Sequence, residues 1–238
     1  MNPPEIIRFP TPDLLAEAAG RLWLQQIQAT RADRPSSVAL SGGRIAGRFF
    51  SAVADQAKAH RHLFDRVQFF WADERCVPPE DPESNFALAQ EHLLGPLEIR
   101  VAQVHRIRGE LDRHAAAREA EREIRQIVPL TGSGEPLLDL VFLGMGEDGH
   151  VASLFPNEPE EAASSPAVYR GVIGPKPPPE RVTISYATLG AAREVWVLAS
   201  GGGKEDALRH SLQPGAQTPL GRLLRMRQRT RILTDIPV

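Results

Sequence analysis

Short apolar runs alternate with amphipathic stretches along almost the whole chain. Leu14 to Ile27 puts Leu14, Leu15, Ala18, Leu22 and Ile27 near one face of a helix, with Asp13 as its expected N-cap. Ser37 to Leu40 is a short buried strand, and a helix follows from about Ala46 to Ala59. Val67 to Ala72 predicts a second strand, Asn85 to Leu94 a helix, and Val101 to Ile107 another strand. Arg113 to Ile127 reads as a helix with a charged face, ended near Pro129. Leu138 to Leu143 and Val195 to Ala199 are further buried strands, Lys204 to Leu212 is helical, and Arg231 to Leu233 is a short last strand. Such β-α alternation implies an α/β protein whose mostly parallel sheet is covered by helices on both faces. The proline-rich GPKPPPE (174–180) is a surface connection, because the apolar pattern resumes at once in Val182 to Tyr186. With no internal repeat, one domain over residues 1–238 is expected.

Composition narrows the functional classes. The 238 residues are 42% hydrophobic and 24% charged, ordinary for a globular protein, with a net charge of -2. That balance creates no global field to draw nucleic acid or an anionic membrane. The start, MNPPEIIRFPTPDLL, lacks the basic and apolar stretches of a signal peptide, and no apolar run approaches a membrane span. The single cysteine, Cys76, has no partner for a disulfide. A cytoplasmic protein, monomeric or weakly dimeric, is expected, without nucleic-acid or membrane partners.

In open α/β sheets ligands bind beyond the carboxyl ends of the strands. Four such ends carry glycine or ionisable residues: Ser41-Gly42-Gly43-Arg44, Asp73-Glu74-Arg75, Asp148-Gly149-His150, and Gly201 to Gly203 with Lys204. Glycines before a helix let backbone amides approach an anion, and the helix dipole favours negative charge there. GGGK is no nucleotide loop, since Leu198 stands where its first glycine is needed and Glu205 follows the lysine. The four ends suit one terminal phosphate on a small substrate; solvated surface charge is the alternative for Arg44 and Lys204.

LGMGEDGHVASLFP (143–156) contains Gly144-x-Gly146-x-x-Gly149 after an apolar strand, the spacing of a dinucleotide loop. That use fails. Asp148 would face the pyrophosphate, Pro156 and Pro159 break the helix the loop needs, and the next strand, Val168 to Ile173, ends without a carboxylate for a ribose. The glycine spacing then reads as incidental, and what remains is His150 on a tight turn two residues after Asp148. No metal is expected, because there is no H-E-x-x-H and His60-Arg61-His62 has no acidic or cysteine company.

On GMGEDGHVASLFP and WADERCVPPEDPESNF (71–86), with LSGGR, PPPERVTIS and GGGK in the same order, the sequence resembles the 6-phosphogluconolactonase family, related to glucosamine-6-phosphate deaminases. The resemblance covers essentially the whole chain. It implies a Rossmann-like three-layer α/β/α fold with no dinucleotide and no cofactor, and hydrolysis of 6-phospho-D-glucono-1,5-lactone. By resemblance His150 matches the catalytic histidine, Asp73 and Asp148 motif aspartates, and Arg75 the arginine of D-E-R. Lys204 matches a phosphate-binding lysine, and Ser41, Gly42, Gly43, Arg44 and Arg181 fall among the substrate-binding candidates. One departure stands out: Ile45-Ala46 replaces the Thr-Pro that many members carry. The loop hydroxyl is then missing, and Arg44 is expected to help Lys204 hold the phosphate.

The residues fit the chemistry on their own terms. Lactone hydrolysis needs a base to activate water and an acid to protonate the leaving ring oxygen, and one histidine can do both in turn. A nearby aspartate would orient it, and Arg75 or loop amides could stabilise the oxyanion. Two other readings remain. A deaminase/isomerase carries a glutamate five residues after the histidine, where this chain has Phe155, and its N-E-P is displaced here to Asn157-Glu158-Pro159. A sugar-phosphate-sensing regulator would need a DNA-binding helix pair, for which the proline-broken start leaves no room.

Overall fold

The computed structural model describes residues 3–29, 34–227 and 229–237. In chain order it contains β1 (Glu5–Arg8), α1 (Pro12–Ala29), β2 (Ser36–Leu40), α2 (Arg44–Ala57), β3 (Val67–Trp71), β4 (Asp73–Arg75) and α3 (Asn85–Ala89). There follow α4 (Arg113–Ile127), β5 (Leu140–Gly144), α5 (Glu160–Ala163), β6 (Tyr169–Ile173), β7 (Glu180–Ile184) and α6 (Tyr186–Ala191). The chain closes with β8 (Glu194–Ala199), α7 (Glu205–Ser211), α8 (Pro219–Met226) and β9 (Thr230–Thr234).

Six strands form one parallel sheet in the order β1-β9-β8-β5-β2-β3, flanked by helices, as the α/β alternation implies. Its central strands are apolar on both faces: Val38, Ala39, Leu40, Val141, Phe142 and Val197 are all buried. Trp23 of α1, Phe49 of α2, Phe142 of β5 and Trp196 of β8 join helices to sheet, with ring centroids 5.0 Å apart for Trp23–Phe142 and 4.7 Å for Phe49–Phe142. Tilted and edge-on rings of this kind add to the stabilisation from area burial alone.

A second, antiparallel sheet, β4-β7-β6, was not expected from the sequence pattern. Ala72 is the junction. Its amide donates to Leu40 of the large sheet and its carbonyl accepts from Ile184 of the small one, both at 2.7 Å. The chain therefore turns out of β3 into β4 within one residue, and Asp73 stands at the carboxyl end of the first while starting the second.

Several sequence expectations are corrected. The strand at Val101 to Ile107 is a short 3-10 turn at Val101–Gln103, with only the pair Phe69–Val104 bridged to β3. Val101 is 89% exposed, so its apolar pattern does not mark a buried face. Gln103 instead inserts its carboxamide between the carbonyls of Phe64 and Val67, at 2.7 Å each. Thr11, and not Asp13, caps α1 by accepting from the Leu14 amide at 3.2 Å. Asp13 lies inside the first turn and pairs with Arg48. The helix from Asn85 keeps α geometry only to Ala89 and widens into a π turn at Gln90–Leu94. The α4 limits agree with expectation, its N-cap Asp112 accepting from His114 and Ala115.

Candidate active site

β2 and β5 are neighbours, but the chain continues outward from them in opposite directions, to β3 on one side and to β8 and β9 on the other. A reversal of strand order opens a crevice beyond the carboxyl ends. Into this crevice come the loop after β2 and the turn after β5.

The β5 turn holds His150. Gly149 has φ 78°, a left-handed conformation that favours glycine. Its amide donates to Gly146 O at 3.1 Å, and its carbonyl accepts from Leu220 N at 3.0 Å. A Cβ on Gly146 would stand 2.1 Å from His150 Cε1 and Nδ1. Two of the three motif glycines thus make the turn and the space for the imidazole, so their spacing is not incidental. Asp148 Oδ1 receives His150 Nδ1 at 2.5 Å and the His150 amide at 3.1 Å. Burial alone would raise the Asp148 carboxyl, but the His150 amide and imidazole outweigh it and hold it below the usual carboxylate range. With Nδ1 directed at the carboxylate, Nε2 has no hydrogen-bond partner among the described residues, and His150 is part of the cavity lining.

Asp73 is buried and its carboxylate is held by three donors. Ser41 Oγ donates to Oδ1 at 2.7 Å, Ser153 Oγ to Oδ2 at 2.8 Å, and Asn85 Nδ2 to Oδ1 at 3.4 Å and to the Asp73 carbonyl at 2.8 Å. A carboxylate has about four acceptor directions, so roughly one remains. Neighbouring Glu74 points elsewhere and ties down the start of α3. Its carboxylate accepts from the amides of Arg75, Asn85 and Phe86 at 2.7–2.8 Å and from Ser84 Oγ at 3.1 Å. Burial pushes the Glu74 carboxyl up to about 7, against the pull of those amides.

Cations surround the other side. Gly43, φ 103°, is the N-cap of α2 and Arg44 its first residue, exposed and without an ion pair among the described residues. Lys204 sits half-buried at the N-cap of α7, and burial, then the nearby Arg44 charge, lower its pKa. Arg75 and Arg181 face each other across β4 and β7. Arg75 is anchored through Nη1 to the Glu83 carbonyl. Arg181 donates from Nε to Pro178 O at 3.1 Å and from Nη2 to Lys176 O at 3.3 Å. Burial, then the Arg75 charge, lower the Arg181 pKa. Ser41, Gly42, Gly43, Arg44, Asp73, Arg75, His150, Arg181 and Lys204 all line one cavity, and Asp148 backs it through His150.

Sequence reasoning did not single out Asn85 and Ser153, and it named Glu74 only within its strand end and Phe155 only as the replacement of a glutamate. The Phe155 ring centroid lies 5.1 Å from that of His150, and the Arg181 guanidinium lies over the Phe155 ring at 5.7 Å. Glu158 of the displaced N-E-P is bound to Arg170 at 2.6 and 2.8 Å and does not line the cavity. No group of three or more His, Cys, Asp or Glu side chains suited to a metal occurs among the described residues. Nor is any helix among them long and apolar enough to cross a membrane.

A histidine bonded to an aspartate and a rim of four cations thus meet at the switch point of an α/β sheet. Residues 10–232 match the family described as glucosamine-6-phosphate isomerases/6-phosphogluconolactonase, and the chain belongs to it. It is 36% identical over 211 residues to a 6-phosphogluconolactonase of Mycobacterium tuberculosis, covering 84% of this chain and 82% of the relative. A Bos taurus 6-phosphogluconolactonase is 35% identical over 215 residues, covering 89% and 83%. The solved 6-phosphogluconolactonase of Trypanosoma brucei superposes with a TM-score of 0.88 at 30% identity, over 98% of this chain and 97% of that one. A monomeric glucosamine-6-phosphate deaminase shares the fold alone, with a TM-score of 0.80 at 16% identity over 97% and 96%.

Proposed function

We propose that the chain hydrolyses 6-phospho-D-glucono-1,5-lactone to 6-phospho-D-gluconate, the second step of the oxidative pentose phosphate branch. The observation that carries this reading is His150, tethered through Nδ1 to Asp148, with Nε2 left for the cavity. Nε2 accepts a proton from water as the water oxygen bonds to the lactone carbonyl carbon. The carbonyl oxygen becomes an oxyanion, stabilised by Arg75 or Arg181. As the ring C–O bond breaks, His150 returns its proton to the ring oxygen, giving a hydroxyl and a carboxylic acid that ionises. Asp148 stabilises the imidazolium in between. Asp73 offers its remaining acceptor direction to a sugar hydroxyl. Arg44, Lys204 and the amides at the start of α2 hold the phosphate.

Phe155 against His150 favours the lactonase over the deaminase, since the glutamate of the deaminase branch is replaced there by an apolar ring. The reading takes residues 1–238 as one catalytic domain of a cytoplasmic monomer or weak dimer without cofactor. A buried apolar cluster running through both sheets supports the single domain. The test is turnover: the phosphorylated lactone should be hydrolysed well above its spontaneous rate, and glucosamine 6-phosphate left unchanged. Ammonia release from the amino sugar with no lactone hydrolysis would reverse the assignment.

A further inference from the structure

Two polar side chains of the cavity lining, Ser41 and Asn85, are not used by the acid–base scheme, and Asn85 is the one that bridges two of its walls. Asn85 is 2% exposed and lies between the Asp73 strand and the glycine loop. On one side Nδ2 donates to the Asp73 carbonyl at 2.8 Å and reaches its Oδ1 at 3.4 Å. On the other side Oδ1 lies so close to Gly42 that a Cβ there would stand 1.8 Å from it. The residue itself is fixed from behind, its amide donating to Glu74 Oε1 at 2.7 Å. Glu74 also accepts from the next amide, Phe86, at 2.8 Å, so the Ser84–Phe86 turn cannot shift without breaking several bonds to one buried carboxylate.

We propose that Asn85 is a positioning residue for the reaction: its carboxamide, wedged between Asp73 and Gly42, sets the distance between the substrate-facing carboxylate and the glycine loop. The proposal rests on the reading of Asp73 and the loop as substrate contacts. Its physical content is directional. A carboxamide presents a donor to Asp73 and a compact oxygen to Gly42, and no other side chain of that shape does both at neutral charge. At Gly42 a side chain is excluded because the wedge occupies its space, a cause separate from turn geometry.

Asn85→Asp is the discriminating variant, made in the full chain. It keeps the shape but turns the donor into a carboxylate facing Asp73, and two carboxylates at such range titrate as a pair with one raised pKa. The charged and titratable groups facing that pair are Glu74 and Arg75 of β4, Arg181 of β7, Arg44 of α2, and His150 and Lys204 of the cavity wall. At about pH 8 we expect kcat/KM to fall by roughly 100-fold; at about pH 5.5, relative to the parent at the same pH, at least ~10-fold should return, because a shared proton restores a donor toward Asp73. Asn85→Ala should instead lose activity by a factor that does not change with pH, with KM raised as the glycine loop loses its support. Thermal melts accompany both variants, and the alanine variant carries the test if the aspartate variant does not fold. Parental kcat and KM in Asn85→Ala, or an Asn85→Asp deficit that is constant with pH, would overturn the proposal. An Asp73→Asn enzyme as active as the parent would remove the underlying reading of Asp73, and the proposal with it. An impaired Asp73→Asn beside a pH-independent Asn85→Asp removes the positioning role alone.

Discussion

Two imidazoles are hydrogen-bonded to carboxylates among the described residues, and the two pairs differ in everything but their chemistry. His150 meets Asp148 at 2.5 Å on a turn beyond β5, and its side chain is 31% exposed. His105 meets Glu123 at 2.7 Å beneath α4, and its side chain is 9% exposed. The second ring nitrogen separates them. In His105 it contacts Gln68 Oε1 at 2.7 Å, and the ring stacks on Phe70 with centroids 4.7 Å apart. In His150 it has no partner among the described residues, and the residue lines a cavity together with four cations. A carboxylate at one nitrogen therefore does not make a histidine a base; an uncommitted second nitrogen beside a substrate space is the further requirement. His105 ties β3 to α4, and its bonds are those of a buried polar group kept satisfied.

The comparison is sharpest when each pair is broken. His150→Ala should lower kcat by ~10²–10⁴-fold with little change in KM, after subtraction of spontaneous hydrolysis. A corrected kcat near the parent's would place the base elsewhere. Asp148→Asn should lower kcat by roughly tenfold or more, because an amide can face Nδ1 with its own N–H and favour the tautomer whose Nε2 is protonated. The depressed Asp148 carboxyl fixes the sign of its pH dependence. Its folded-state pKa lies below the unfolded value, so the stabilisation is complete above the ordinary carboxylate range and is lost as pH falls through the folded value. Measured between neutral pH and about pH 5, the Asp148→Asn deficit should therefore stay constant relative to the parent; a deficit that vanishes there would contradict an ionised Asp148.

Arg44→Ala probes the opposite wall of the same cavity. KM for the phosphorylated lactone should rise roughly tenfold, the scale of a lost charged hydrogen bond. The rate on unphosphorylated gluconolactone should be nearly unchanged; equal losses on both substrates, or none on either, would exclude a phosphate role. His105→Ala should leave the kcat/KM of folded enzyme within about twofold while lowering stability by about 1–3 kcal/mol, read from denaturant midpoints. Loss of turnover without loss of stability would erase the distinction between the two histidines. Exhaustive chelation and gel filtration should have the smallest effect, leaving activity intact, and recovery only on adding a divalent ion would require a metal that the scheme omits.

What the sequence by itself determined lies within a few residues of chain. The α4 helix runs from Arg113 to Ile127, the limits that its charged-face pattern and Pro129 predict. The turn that presents His150 is local glycine chemistry, but which aspartate meets its Nδ1 was left open by the sequence, and the structure gives Asp148. The glycines ahead of Arg44 and Lys204 likewise announce helix starts at strand ends. Proline-flanked β1 escaped notice because its identity as a strand depends on pairing with β9, across more than two hundred residues. The β4 segment carries Asp-Glu-Arg, a pattern with no apolar face, and becomes a strand only because β7 lies beside it. Asp73 is where the two kinds of information part. Its motif is legible, but Ser41, Asn85 and Ser153, which hold its carboxylate, reach it from 32 residues before and 12 and 80 residues after. Turn conformation and periodicity depend on near neighbours, so they can be read along a chain. The donors that satisfy a buried carboxylate, and the nitrogen left free beside a cavity, are decided by which distant segments pack together.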